Sequence, residues 1–594
     1  MQARCSRRPL GNRVKTLVAL LALPGWLSAA TGCQDRNLGV DPPLSQLVFP
    51  SGLYVDDTVT DANGAAKYLF VANGNNDLRF NAGTVATVDL ERFWDAWFDT
   101  ATQTSFAYCT TRAPSEGVDQ CIEPPGGPTT DQRPCRRLAL KPQVIECDER
   151  PFIDDDLIVH VGDFGTVLTA SDESDSNGDF TRLWLPVRGD PSLTFIDIRP
   201  SSDGRVTLDC DQGGRAGDSN PRRCGDRSRL RYARNDEDLD ELGREPFTML
   251  ITEQGDKRLA FVAHVSGSQL TLVDLDGVLG GSGPAIVDQP DLFFRDGQQL
   301  GGFGLAQRPC FALGEGPLGA LDPEPNVPSI TGGCSRPMIY AGYRFAPFVT
   351  SFTASGLALP EGSNYVDPRQ RQDCFVDVPL SCGGTVVGCT ADPDQCAGGS
   401  ASCQSVYAGQ YCATPDQLGQ PCALICEPRV RSDRTLRPGG LFPSQAGPVL
   451  GDLAFADVRG DTLLVLQTNP GALLVVDTSL GNDGEPLDQP SSPPIEVCAE
   501  PTRMLVYDDH GQRFALISCF AAALIYVVDL EARRVVNTVV VGTGPHDLAL
   551  DVVREVLYVA NTLESSVSVV DLSRTRRTRF QELARIGLQE PLKQ

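Results

Sequence analysis

Near the C-terminal end of the chain, three short apolar runs follow one another between polar turns: DLALDV, VLYVAN and SVSVVDL, all within Gly544–Thr575. Runs this short, rich in Val, Leu and Tyr and alternating as in Ser566-Val-Ser-Val, have the period of strands. The order recurs along the chain. Glu500–Gly542, Glu245–Leu275 and Phe49–Leu90 each repeat it. They open on Pro501-x-x-Met504, Pro246-x-x-Met249 and Pro50-x-x-Leu53, matching Pro545-x-x-Leu548, and their last run carries Asp529, Asp274 and Asp89, matching Asp571. Gly451–Thr478 lacks the Pro but keeps the three runs and Asp477, and Gly162–Ile198 is a sixth copy. The seventh is the most degraded: Arg308–Gly316, a long loop, then Arg336–Ala354.

A fourth strand follows the third in the better copies, as RRVVNTVVVG after Leu530 and RFQELARIGL at Arg579–Leu588. One such sheet cannot bury both faces alone. Set radially, each sheet covers its faces with its two neighbours. Four strands per unit and seven units predict an all-β, seven-bladed β-propeller over residues 47–590. The Pro-x-x-Leu start, the Tyr558-Val-Ala-Asn561 strand and the Val-Val-Asp-Leu strand resemble the YVTN-type propeller repeat family. That resemblance implies a seven-bladed fold, often extracytoplasmic. The functions it implies range from surface-layer and binding proteins to relatives of cytochrome d1 nitrite reductase.

The repeat spacing locates insertions. Asp529 and Asp571 are 42 residues apart, but Asp89 and Asp197 are 108 apart and Asp197 and Asp274 are 77 apart. The excess reads as loop, and it carries cysteines: Cys109, Cys121, Cys135 and Cys147 in the first insertion, Cys210 and Cys224 in the second. Eight more, Cys374 to Cys426, fall in a Gly/Pro/Asp-rich stretch, 367–445, expected between blades 4 and 5. With few apolar residues it needs crosslinks in place of a core, which predicts a disulfide-stapled module of open connectivity. Two pairs are expected within blades. Cys498 precedes the first strand of blade 6 and Cys519 ends its second, and Cys310 and Cys334 are read as holding the same places in blade 4.

The N-terminus changes the address. Arg4, Arg7, Arg8, Arg13 and Lys15 precede an apolar run, Thr16–Ala30, too short for a comfortable membrane span. ATGC, ending at Cys33, resembles a bacterial lipobox, in which the Cys is diacylated and becomes the mature N-terminus. Residues 1–32 then form the signal peptide and 33–46 a tether. SRRPL (Ser6–Leu10) resembles part of a twin-arginine signal, which leaves both export routes open. Without residues 1–32 the chain carries 46 basic against 77 acidic side chains, net −31, and 18 cysteines other than Cys33. An even number of thiols in an exported chain suggests disulfides. A surface this acidic repels phosphate backbones, so nucleic acid is not expected as a partner.

Candidate chemistry is sparse. Covalent haem needs Cys-x-x-Cys-His, which is absent; CALIC (Cys422–Cys426) has the wrong spacing and no His. The chain has four histidines: His160, His264, His510 and His546. His264 shares its repeat position with Asn73 and Asn561 and reads as a strand-end residue. An oxidising compartment consumes the thiolates zinc would need. Glu173-x-Asp175-x-Asn177-Gly178 resembles the start of a calcium loop, but Trp184 stands where a bidentate Glu is needed, so an acidic Asn-Gly turn is the better reading. No Gly-x-Ser-x-Gly elbow and no phosphate loop occurs. No catalytic residue, metal or cofactor is therefore assigned. Positions two and three of Pro-x-x-Leu should face the channel mouth, which makes Arg503, His546 and Asp547 the candidate ligand contacts. The expected function is a lipid-anchored binding or scaffolding module of the bacterial cell envelope, facing the periplasm or exterior. Its partners would be the membrane, through the lipid, and a protein or envelope ligand. The alternative is a channel-site enzyme or redox protein, lactonase-like or cofactor-bearing.

Overall fold

The structure is a computed structural model. It describes residues 40–102, 109–110, 120–121 and most of 134–587, apart chiefly from 213–220, 232–241, 277–283, 310–337, 355–378, 389–429 and 437–448. Among the described residues, seven sheets of four or more strands follow one another along the chain, with the strands of each blade paired antiparallel. Their first strands are Pro50–Thr60, Thr169–Asp175, Pro246–Gln254, Gly302–Gln307, Val449–Phe455, Pro501–Asp509 and Pro545–Asp551. In each blade the second strand pairs with the first and the third with the second.

The core is divided as a closed ring requires. Among the described residues, seven clusters of buried apolar side chains lie each between two consecutive blades, and one of them joins blade 7 to blade 1. Strand alternation does the sorting. Leu69 and Val71 enter the 7/1 interface, while Tyr68, Phe70 and Ala72 of the same strand enter the 1/2 interface. The repeated Asp is a turn residue. The Asp477, Asp529 and Asp571 carboxylates accept the N–H of Ser479, Glu531 and Ser573, closing the turn two residues on.

The ring closes by an unusual strap. The first insertion leaves blade 1 after Asp89 and forms the helix Leu90–Thr102, whose Phe93 and Trp94 sit in the 7/1 core. It then forms a hairpin, Cys135–Arg137 with Ile145–Cys147, held by the Cys135–Cys147 disulfide. Ile145–Cys147 pairs in parallel with Glu582–Ile586, the outer strand of blade 7. The chain then returns to complete blade 1 with Ile153–Val161. Trp94 Nε1 donates to Tyr558 Oη at 3.1 Å, and Arg554 pairs with Asp61 at 2.7 Å, both across the same seam.

Two expectations change in blade 4. Its first strand is Gly302–Gln307, just before the Arg308–Gly316 segment read as that strand, and its outer strand is Val430–Leu436. The Cys-rich stretch therefore interrupts blade 4 between its third and fourth strands and does not link blades 4 and 5. Cys310 follows the first strand, so it does not hold the place that Cys498 holds in blade 6. Cys310 and Cys334, like Cys374–Cys426 apart from a short hairpin backbone at 379–388, lie outside the described residues, as does Cys33. Cys498 and Cys519 are disulfide-bonded, as are Cys210 and Cys224. The Asp175–Gly178 segment is a strand-to-strand turn: Asp175 accepts the Asn177 N–H and pairs with Arg199.

Candidate functional site

The site begins with a backbone irregularity that the repeat builds four times. The residue before each Pro has a left-handed φ: Phe49, Glu245, Glu500 and Gly544. Ladder register then shifts between Pro50 and Gly52, Pro246 and Thr248, Pro501 and Met504, and Pro545 and Leu548. Such bulges free the two x positions from the ladder and re-aim their side chains. Strand directions alternate, so the inter-blade connections and the second-to-third-strand loops share one face of the disc. The x positions of all the blades meet at the mouth of the channel on that face.

Some of these side chains latch one blade to the next. Ser51 Oγ donates to Gly165 O at 2.6 Å, and Thr166 Oγ1 to Phe247 O at 2.7 Å. Asp547 belongs to this set: its Oδ2 accepts the Leu53 N–H of blade 1 at 2.8 Å. Asp452, the same position of blade 5, accepts the Met504 N–H of blade 6 at 3.2 Å. Burial pushes the Asp547 carboxyl up to about 6 and raises Asp452 as well. Asp547 is thus placed at the mouth, with its carboxylate engaged by backbone.

His546 is differently placed. Its Nδ1 lies 3.0 Å from Ser51 O, so that nitrogen carries the proton and donates. Burial, with the Arg503 cation second, pushes the imidazole down to about 4, so at neutral pH the ring is uncharged. The other ring nitrogen, Nε2, keeps its lone pair. The ring lines a pocket of about 370 Å³ whose walls come from blades 1, 2, 3, 6 and 7 and include Phe49, Ser51, Phe164, Arg188, Phe247 and Phe520. The Cys498–Cys519 disulfide braces this rim, since Phe520 follows Cys519 directly.

Arg503 lies behind Phe247, and only 5% of it is exposed. Its Nη1 is 3.6 Å from Asp452 Oδ1 and 3.4 Å from Thr248 Oγ1. Its guanidinium carbon is 5.1 Å from the Phe247 ring centre and 5.5 Å from that of Phe303. From blade 6, this one side chain reaches blades 3, 4 and 5, which places Arg503 toward the centre of the ring of blades. Phe247 also meets His546 edge-on at 6.4 Å, so the structure brings Arg503 and His546 to one aromatic ring.

His264 is a core residue. It is wholly buried, with Nε2 at 2.8 Å from Thr271 Oγ1 and Nδ1 at 3.1 Å from Arg244 O. Among the described residues no group of three or more His, Cys, Asp or Glu is placed to hold a metal ion.

Sequence reasoning missed Asp452, Phe303, Arg188 and Arg344. The first two were within reach. Gly451-Asp452-Leu453 and Phe303-Gly304-Leu305 occupy the positions of His546-Asp547-Leu548, without the Pro that marks the motif. Arg188 and Arg344 sit in second-to-third-strand loops, where the repeat imposes no pattern.

No protein-family model matches the chain, and no curated protein matches it. Among solved structures, the chain is similar to apo AztD from Citrobacter koseri, at 9% identity over 91% of this chain and 86% of that one, with a TM-score of 0.34. It is also similar to Kuenenia stuttgartiensis hydrazine synthase, at 10% identity over 88% and 96% with a TM-score of 0.38. A third is Saccharomyces cerevisiae Sqt1, at 8% identity over 91% and 89% with a TM-score of 0.36. Scores and identities this low carry no argument about ligand or activity.

Proposed function

We propose that this protein is a lipid-anchored, envelope-facing β-propeller that binds a small ligand at the mouth of its central channel. One observation carries the reading. At a pocket walled by five of the seven blades, His546 presents a neutral ring whose Nδ1 is committed to Ser51 and whose Nε2 has no hydrogen-bond partner among the described residues. The pocket sets an aromatic wall of Phe49, Phe164, Phe247 and Phe520 against polar side chains that include Asn76, Asp77, Arg188 and Thr562, and apolar lining with polar groups to fix orientation is the usual form of a small-molecule site. The ATGC sequence at Cys33 and the disulfides support the extracytoplasmic, anchored address.

Cell fractionation tests the anchor. The wild-type chain should sediment with membranes, and Cys33→Ser should move to the soluble extracytoplasmic fraction. A Cys33→Ser chain that stays membrane-bound overturns the lipid anchor. An absorbance spectrum and metal analysis of the native protein test binding against redox catalysis. A stoichiometric chromophore or transition metal would overturn the binder reading in favour of a cofactor-bearing enzyme.

A further inference from the structure

The channel mouth carries a concentration of positive charge that the acidic chain as a whole does not foreshadow. Three guanidinium groups surround one pair of rings, Phe247 and Phe303, whose centres are 4.5 Å apart. Arg503 stands 5.1 and 5.5 Å from the two rings, Arg344 is 4.6 Å from Phe303, and Arg188 is 5.9 Å from Phe247. The carboxylates near them are engaged: Asp77, which lines the pocket with Arg188, pairs with Arg79 at 3.0 Å. Asp547 holds the Leu53 N–H, Asp452 holds the Met504 N–H and faces Arg503 Nη1, and Glu245 reaches Arg188 only at 3.4 Å.

The unpaired nitrogens form a pattern. Arg503 Nε and Nη2 are both buried without a hydrogen-bond partner. These two N–H groups make up one side of the planar guanidinium, the fork that receives two oxygens of one anion. Arg188 Nε and Arg344 Nε are buried and unpartnered as well. A buried donor without an acceptor is costly, and one belonging to a cation more so. The adjoining pocket supplies an apolar wall through Phe49, Phe164, Phe247, Phe520 and Leu563. Phe247 is at once a wall of that pocket and the cover over the Arg503 fork.

We infer that this platform takes the carboxylate of a small organic acid, whose apolar body fills the pocket between Phe49, Phe164 and Phe520. Rotation of the Phe247 ring joins the pocket to the Arg503 fork, and Arg188 on the wall supplies the second cation. The inference rests on the proposed binding role of the same pocket and specifies its ligand as an amphipathic monoanion. A dianion such as phosphate is disfavoured by Asp452 and Asp547 beside the fork.

Calorimetric titration of the purified full-length chain at neutral pH tests this, with 1-naphthoate, the uncharged 1-naphthalenemethanol and inorganic phosphate as probes. The expected result is naphthoate binding at least about tenfold tighter than the alcohol, the factor an added hydrogen bond to a charged group supplies. Arg503→Gln and Arg188→Gln should each weaken naphthoate by about tenfold or more, with the alcohol unchanged. Arg503→Lys should recover only part, because an ammonium cannot offer the fork. Circular dichroism shows whether each variant is folded; if Arg503→Gln is not, Arg188→Gln at the pocket wall carries the test. Equal binding of acid and alcohol, tighter binding of phosphate, or variants that bind as wild type would overturn the anion assignment and leave the mouth as a binding site. Failure of all three probes to bind would overturn the anion assignment and the pocket together.

Discussion

Arg585→Ala should destabilise the protein by about 3–5 kcal/mol, the usual cost of removing one partner from a buried ion group. Arg585 lies in the outer strand of blade 7, where its Nη1 meets Glu564 at 2.6 Å and its Nη2 meets Glu582 at 2.8 Å. The side chains of all three are at most 6% exposed. Ser568 donates to Glu582 at 2.6 Å, and Lys141 of the strap approaches the same carboxylate at 3.6 Å. Without the guanidinium, two carboxylates stay buried with a hydroxyl, a distant ammonium and backbone for company. Denaturant unfolding measures the loss, and a cycle with Glu582→Gln should return part of it, since the two residues share one network. A loss below about 1 kcal/mol would show that water reaches the group and that the seam is looser than the structure has it.

The second large effect concerns the strap. Cys135→Ser combined with Cys147→Ser should cost about 3 kcal/mol, the chain-entropy value for a loop of this size, given a sequence separation of 12. The place of the loss distinguishes it from a local effect. Ile145–Cys147 lies beside Glu582–Ile586, and Gly587 N–H donates to Cys147 O at 2.9 Å. Hydrogen exchange should therefore quicken in residues 582–587 as well as in the hairpin, while blade 3 stays protected. Faster exchange confined to the hairpin would show that the strap rests on blade 7 without holding it.

How much was legible in the sequence follows from what the repeat controls. Alternation placed Leu69 and Phe70 on opposite faces, and the strand-end Asp and Pro-x-x-Leu motifs set the blade count and pointed to His546 and Arg503. Blade 4 was misread for a physical reason. Its true first strand, Gly302–Gln307, is glycine-rich because a Cβ at Gly304 would lie 2.6 Å from Gly451 O, where neighbouring inner strands crowd together. Gly52, in the same repeat position, has Thr166 O at 2.5 Å. The apolar Phe311-Ala-Leu313 downstream drew the assignment instead. The strap could not be read at all. Its strands are three residues long, and their partner is more than four hundred residues away, so no periodicity marks the pairing. The arginines of the mouth were hidden for a related reason: Arg188 and Arg344 come from loops whose residues the fold leaves free.

Everything proposed for the mouth depends on His546 being neutral and reachable at Nε2. Carbethoxylation by diethyl pyrocarbonate, read residue by residue by mass spectrometry across pH, measures both properties at once, because only an unprotonated and accessible ring nitrogen reacts. With its pKa pushed down to about 4, His546 should keep most of its reactivity at pH 5, where an ordinary histidine near 6.5 is roughly 3% unprotonated. Exposed His510 should react as a surface residue, and buried His264 should not react in the folded protein. Rapid modification of His546 at pH 5, slowed by 1-naphthoate, is the result that agrees with this site. A His546 that stays unmodified while His510 reacts, or that loses its reactivity near pH 6.5, would contradict it.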